Sequence, residues 1–102
     1  MKKYILINKL KILLNEVEKC QNLQKDKILI EVLENYKQRI LKMIEQVQSG
    51  QILYNKNLPP ILIGILRPIS EYDSLSQNIA LYEAASEVES YFGKYFTYKN
   101  NE

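Results

Sequence analysis

Histidine and tryptophan are absent from this chain of 102 residues, cysteine occurs once, and glycine and proline occur three times each. Without histidine, and with Cys20 alone, there is no ligand set for zinc or iron and no internal disulfide. Cys20 is expected to be a small core residue on a helix face. General acid–base catalysis then falls to carboxylates held in contrasting environments. The acids at hand, Glu31 with Glu34 and Glu83 with Glu87 and Glu89, have the spacing of a solvated helix face. Ser70, Ser74, Ser76, Ser86 and Ser90 have no base to activate them. Gly50, Gly64 and Gly93 stand too far apart to form a phosphate-binding loop. The expectation is a protein without catalysis and without a cofactor.

Long apolar runs are missing as well. After Lys2 and Lys3 the run beginning at Tyr4 is cut by Asn8, Lys9 and Lys11, too soon for a signal peptide. The stretch 58–69 is interrupted by Pro59, Pro60, Gly64, Arg67 and Pro68 and falls short of the about 20 residues that span a bilayer. A cytoplasmic location is expected. The net charge of +2 is unevenly spread, with ten basic residues against six acids in 1–50 and four against six in 51–102. The lysines of the first half alternate with glutamates at helical spacing, the pattern of a solvated face. Nucleic acid is not the expected partner.

What is present is isoleucine and leucine in helical rhythm, in a chain long enough for one domain and one core. Leu6, Leu10, Leu13, Val17 and Cys20 recur at steps of four and three, which predicts a first helix over 4–20. Residues 21–27 read as a turn in which Asn22 and Asp26 are candidate caps. Leu29, Leu33, Tyr36, Ile40, Met43 and Val47 predict a long second helix, antiparallel to the first and stopped by Gly50. After a linker over 51–58, Pro60 suits the first turn of a short third helix, apolar on every side through Ile61, Leu62, Ile63, Ile65 and Leu66. Pro68 would break or kink it. Burial between neighbours is the first expectation for this segment, and exposure toward a partner the alternative. Ser74 and Gln77 match a capping box and predict the start of a fourth helix with the stripe Leu81, Ala85, Val88, Phe92 and Tyr95. Gly93 ends it or is absorbed. Residues 97–102 are expected to fray.

These elements make an all-α, antiparallel four-helix bundle with a short, proline-flanked third helix. Three helices with a packed loop are the close alternative. Tyrosine is abundant, with eight copies. Tyr91, Phe92, Tyr95, Phe96 and Tyr98 place five aromatics in eight residues. Either some of these rings face outward as an interface, or they close the end of the bundle and pin the C-terminus.

The chain resembles the immunity proteins of pediocin-like bacteriocins, in particular the enterocin A immunity family, over nearly its whole length. The likeness rests on size, the stretch ending LLNEVEKC, the helix IEVLENYKQRILKMIEQV, the segment LPPILIGILRPI, the capped helix from Ser74, and the tail YFGKYFTYK. The resemblance implies a cytoplasmic helical bundle that protects its producer by acting on the bacteriocin-engaged membrane receptor, a permease of the mannose phosphotransferase type. It places specificity in the C-terminal half, with Tyr91, Phe96, Tyr98 and Lys99 as partner-binding candidates and residues 68–74 as a second candidate. The basic first half would favour peripheral contact with an anionic inner leaflet, within a Debye length of about 8 Å. A helical interaction or regulatory module, and a nucleic-acid binder through residues 2–42, are the competing readings.

Overall fold

A computed structural model describes residues 2–55 and 62–99. Three long helices carry the fold: α1 (Lys2–Leu23), α2 (Lys27–Gln48) and α5 (Ile79–Tyr95). Two four-residue helices, α3 (Arg67–Ser70) and α4 (Asp73–Ser76), and two short strands, β1 (Ile52–Tyr54) and β2 (Phe96–Tyr98), complete it.

The stripe read for the second helix is its buried face, residue for residue, from Leu29 to Val47. The stripe of α1 is buried too, with Ile7 added, and Cys20 is among its core residues. Asp26 caps α2 by accepting from the Ile28 and Leu29 amides, whereas Asn22 lies within α1. At the other end Gly50, with φ of 84°, turns the chain. The Gln51 amide donates to Gln46 and the Gly50 amide to Val47. This pair of hydrogen bonds around a left-handed glycine satisfies carbonyls that the helix end leaves free.

Cross-helix pairs fix the directions. Gln21 bonds Glu34 and Lys37 pairs with Glu18, so α1 and α2 run antiparallel. Lys9 pairs with Glu87 near one end of α1, and Cys20 lies against Asn78 near the other, so α5 is also antiparallel to α1. Both helices pack chiefly on α1 rather than on each other. The chain between them has to fill the remaining side.

That filling corrects the four-helix expectation. Residues 62–66 are not helical, and Gly64 adopts φ of 74°, a left-handed conformation no α-helix contains. Pro68 does not end a helix; it opens α3, where its missing N–H leaves no bond unmade. Pro60 and Ile61 lie outside the described residues. The Ser74–Gln77 capping box is not used either. Ser74 sits inside α4, and α5 starts after Asn78, whose side chain accepts from the Leu81 amide. Gly93 is absorbed into α5 and buried. The result is mostly helical: three long helices with a packed connection, plus a small antiparallel sheet.

The sheet corrects the expected fraying for residues 97–99, while residues 100–102 lie outside the described residues. Ile52 pairs with Tyr98, Leu53 with Thr97 and Tyr54 with Phe96. The Lys99 amide extends the pairing to the Gln51 carbonyl. The tail is therefore tied down as far as Lys99, with Ile52 and Phe96 in the core.

Candidate functional site

The aromatic C-terminus turns mainly inward. Phe96 is 3% exposed, which removes it as a partner contact. Tyr91 and Tyr98 are half-buried. Tyr98 packs 5.5 Å from the ring of Phe92, and Tyr91 lies edge-on to Tyr95 at 5.0 Å. Burial, with the Arg39 charge opposing it, pushes the Tyr98 hydroxyl above its usual pKa. Of the four candidates only Lys99 is exposed. The rings close the end of the bundle because the sheet draws residues 96–98 back across it. Residues 68–74 are folded into α3 and α4, anchored by Ile69 and followed by Leu75, both fully buried.

The most developed polar arrangement lies elsewhere, on a strap formed by residues 62–66 between α2 and α5. Glu89 of α5 accepts three backbone N–H groups with its carboxylate, from Ile63 at 2.8 Å, Ile65 at 2.8 Å and Leu66 at 3.1 Å. Arg39 of α2 donates to the carbonyls of Ile63 at 2.6 Å and Gly64 at 3.0 Å. The Tyr36 hydroxyl donates to the Ile65 carbonyl. An anion faces the strap's donors and a cation its acceptors, so the peptide dipoles lie along the field between them. Charge-assisted bonds of this kind are about twice as strong as neutral ones. The left-handed Gly64 lets neighbouring amides converge on one carboxylate, a backbone concavity of the sort that binds anions. Here Glu89 fills it.

With its backbone held, the strap directs Ile65 into the core, fully buried, and leaves Leu62 91% exposed. Leu62 rises between two hollows. One, of about 490 Å³, is lined by Ile63, Gly64, Leu66, Arg67, Ser70 and Glu89 beside Leu62 itself. The other, of about 270 Å³, lies toward α5 against Ser86, Ser90, Gly93 and Lys94. An exposed leucine on a clamped backbone between two apolar hollows suits recognition of an apolar side chain or helix edge. Among the described residues no cluster of three or more His, Cys, Asp or Glu side chains could hold a metal.

Burial was legible for the core stripes, but the strap's holders were not. By spacing, Glu89 falls with Glu83 and Glu87 on a solvated helix face. Arg39 belongs to no sequence motif, and the spacing of Tyr36 marks only a core position. Their partners are backbone groups, and backbone groups leave no mark on residue spacing. The one available signal was position: Arg39 and Glu89 each sit beside the buried stripe of their helix, next to Ile40 and Val88. The chain matches no family model, no curated protein and no solved structure.

Proposed function

We propose that this chain is a non-catalytic recognition protein of the bacteriocin-immunity kind, whose partner-binding face is the strap at Leu62 and its two flanking hollows. In this reading it acts from the cytoplasmic side on a bacteriocin-engaged permease of the mannose phosphotransferase type. The immunity assignment comes from the sequence resemblance. The observation that carries the binding face is the exposure of Leu62 on a backbone fixed by Glu89, Arg39 and Tyr36. A fixed backbone lowers the ordering cost of binding, and an exposed apolar side chain between two hollows offers a partner apolar area to bury. No described helix is long and apolar enough to cross a membrane, in keeping with a protein that meets its receptor at the surface.

Expression in bacteriocin-sensitive cells, followed by challenge with a panel of pediocin-like peptides, tests both parts. Wild type is expected to protect against at least one peptide. Leu62→Asp is expected to lose that protection while keeping its melting temperature, because the side chain is already in water. Protection by neither protein would reject immunity, and equal protection by both would move the face elsewhere.

A second reading, a helical interaction module without a membrane receptor, draws on the other end of the bundle. There Leu23, Ile28 and Ile79 are exposed to 83%, 67% and 71% at the end of α1 and the starts of α2 and α5. Recovery of a cytosolic partner without any permease component, lost on Leu23→Asp, would favour it.

A further inference from the structure

We propose that Tyr54, Tyr91 and Tyr95 form a cage for the quaternary ammonium of a choline phosphate group, filled in the resting molecule by the chain's own Lys2. The Lys2 ammonium stands 4.1 Å from the centre of the Tyr95 ring, 5.9 Å from Tyr54 and 6.0 Å from Tyr91. Tyr54 and Tyr95 stack at 6.2 Å with 26° between their planes, and Tyr91 meets Tyr95 at 60°. Strand β1 and helix α5 thus turn three aromatic rings toward one cation. Electron-rich ring faces of this kind are how proteins recognise quaternary ammonium groups.

Lys2 is a poorly fitted occupant. It lies in the first turn of α1, at the positive end of the helix dipole, and that turn contains no acid. Among the described residues no carboxylate pairs with it. Only Tyr95 is in close contact; the other two rings sit at the outer limit of about 6 Å for attraction to a cation. The cage is wider than a bare ammonium fills. A trimethylammonium extends its contact surface by one C–N bond in three directions and is less strongly hydrated, so it would meet all three rings. Exchanging one cation for another leaves the local charge unchanged.

The anionic half of the ligand follows from the ground beside the cage. Tyr91 and Tyr95 also wall a polar hollow of about 220 Å³, completed by Lys9, Glu87, Ser90 and Lys94. The Lys9 ammonium lies 5.4 Å from the Tyr91 ring and is paired with Glu87 at 2.9 Å, while Lys94 is exposed and forms no ion pair among the described residues. The Tyr91 hydroxyl is buried with no hydrogen-bond partner among the described residues. A phosphate linked to the caged ammonium would lie against Lys9, Lys94 and Ser90, with Lys9 exchanging its Glu87 partner for the phosphate so that the two anions do not share the lysine. Cation cage and basic hollow share two walls, which matches the zwitterion rather than a simple cation.

The three cage rings lie outside the strap, although Ser90 and Lys94 also line the smaller hollow beside Leu62. The test changes only Lys2 and Tyr54, which touch neither strap nor hollow, so it does not depend on the immunity reading. Tyrosine ring resonances are followed by NMR during titration of the full chain with phosphocholine, tetramethylammonium chloride and sodium chloride. Lys2→Ala is expected to bind phosphocholine saturably and about fivefold more tightly than wild type, the competition expected of one exposed cation on aromatic faces. Tetramethylammonium should bind more weakly, and Tyr54→Leu, a change on a strand residue 44% exposed, should abolish both. Cosedimentation of Lys2→Ala with phosphatidylcholine vesicles would assign the ligand to a lipid headgroup, and binding of free phosphocholine alone would assign it to a soluble one. The proposal is overturned if folded Lys2→Ala shows no saturable response, responds equally to sodium chloride, or binds tetramethylammonium as tightly as phosphocholine.

Discussion

Tyr36 shows how much one side chain carries in this molecule. Its ring belongs to the core stripe of α2 at 3% exposure, and its hydroxyl bonds the strap. Burial raises the hydroxyl's pKa well above its ordinary 10.0, the Glu89 charge adds to the rise, and the Arg39 charge opposes it. The folded state therefore keeps this group neutral at a pH where the unfolded chain ionises it. Its contribution to stability is complete below about pH 10 and is lost as pH rises further, by about 1.4 kcal/mol per pH unit for one such group. Urea unfolding between pH 8 and 11.5 is expected to show a plateau followed by a fall above pH 10. Tyr36→Phe should fall less steeply there, with Tyr98, raised in the same direction by burial, supplying part of what remains. The core role of Tyr36 was legible from spacing alone, because a heptad-like stripe records which face is apolar. Its hydroxyl's partner was not, since it is a carbonyl 29 positions away in sequence.

Among the elements, α1 and α2 were legible and the connection after β1 was not. In α1 and α2 every signal agrees: apolar period, absence of proline and glycine, Asp26 at one end of α2 and Gly50 at the other. In 62–66 they conflict. The residues are apolar enough for a buried helix, yet Gly64 permits a left-handed turn, and the donors of the strap find a carboxylate on α5 instead of carbonyls one turn back. Long-range hydrogen bonds won over local periodicity, and Pro68 changed from a terminator into a first-turn residue. Gly64→Ala isolates the backbone part of this choice, because a Cβ there would meet no atom within 4 Å. With no clash, only the left-handed φ is penalised. The expected loss is about 1 kcal/mol by thermal or urea unfolding, and a loss several times larger would mean that the strap is packed more tightly than described.

As a whole the molecule is elongated, 42 × 23 × 23 Å, with both chemically distinct surfaces made by segments other than the long helices' buried faces. At this scale the sequence leaves two readings of the C-terminal aromatics open, and the fold takes the inward one. Five aromatics in eight residues announce a cluster, but whether the cluster points out or in depends on where β2 finds a pairing edge, and that edge is 42 to 46 residues earlier at β1. The contrast has a direct measure. Phe96→Ala is expected to destabilise by about 3–5 kcal/mol, the range for a buried phenylalanine, whereas exposed Lys99→Ala should change stability by no more than about 0.5 kcal/mol.

The strap is what joins fold to proposed function, since a binding face at Leu62 is useful only if the backbone under it is held. Amide hydrogen exchange in wild type and Glu89→Gln measures that hold residue by residue. In wild type the Ile63, Ile65 and Leu66 amides should exchange nearly as slowly as those of the α5 core. In Glu89→Gln, where one neutral oxygen replaces the carboxylate, all three should accelerate together and stability should fall by about 2–3 kcal/mol. Fast exchange of these three amides already in the wild type would contradict a clamped strap and with it the recognition face built on it.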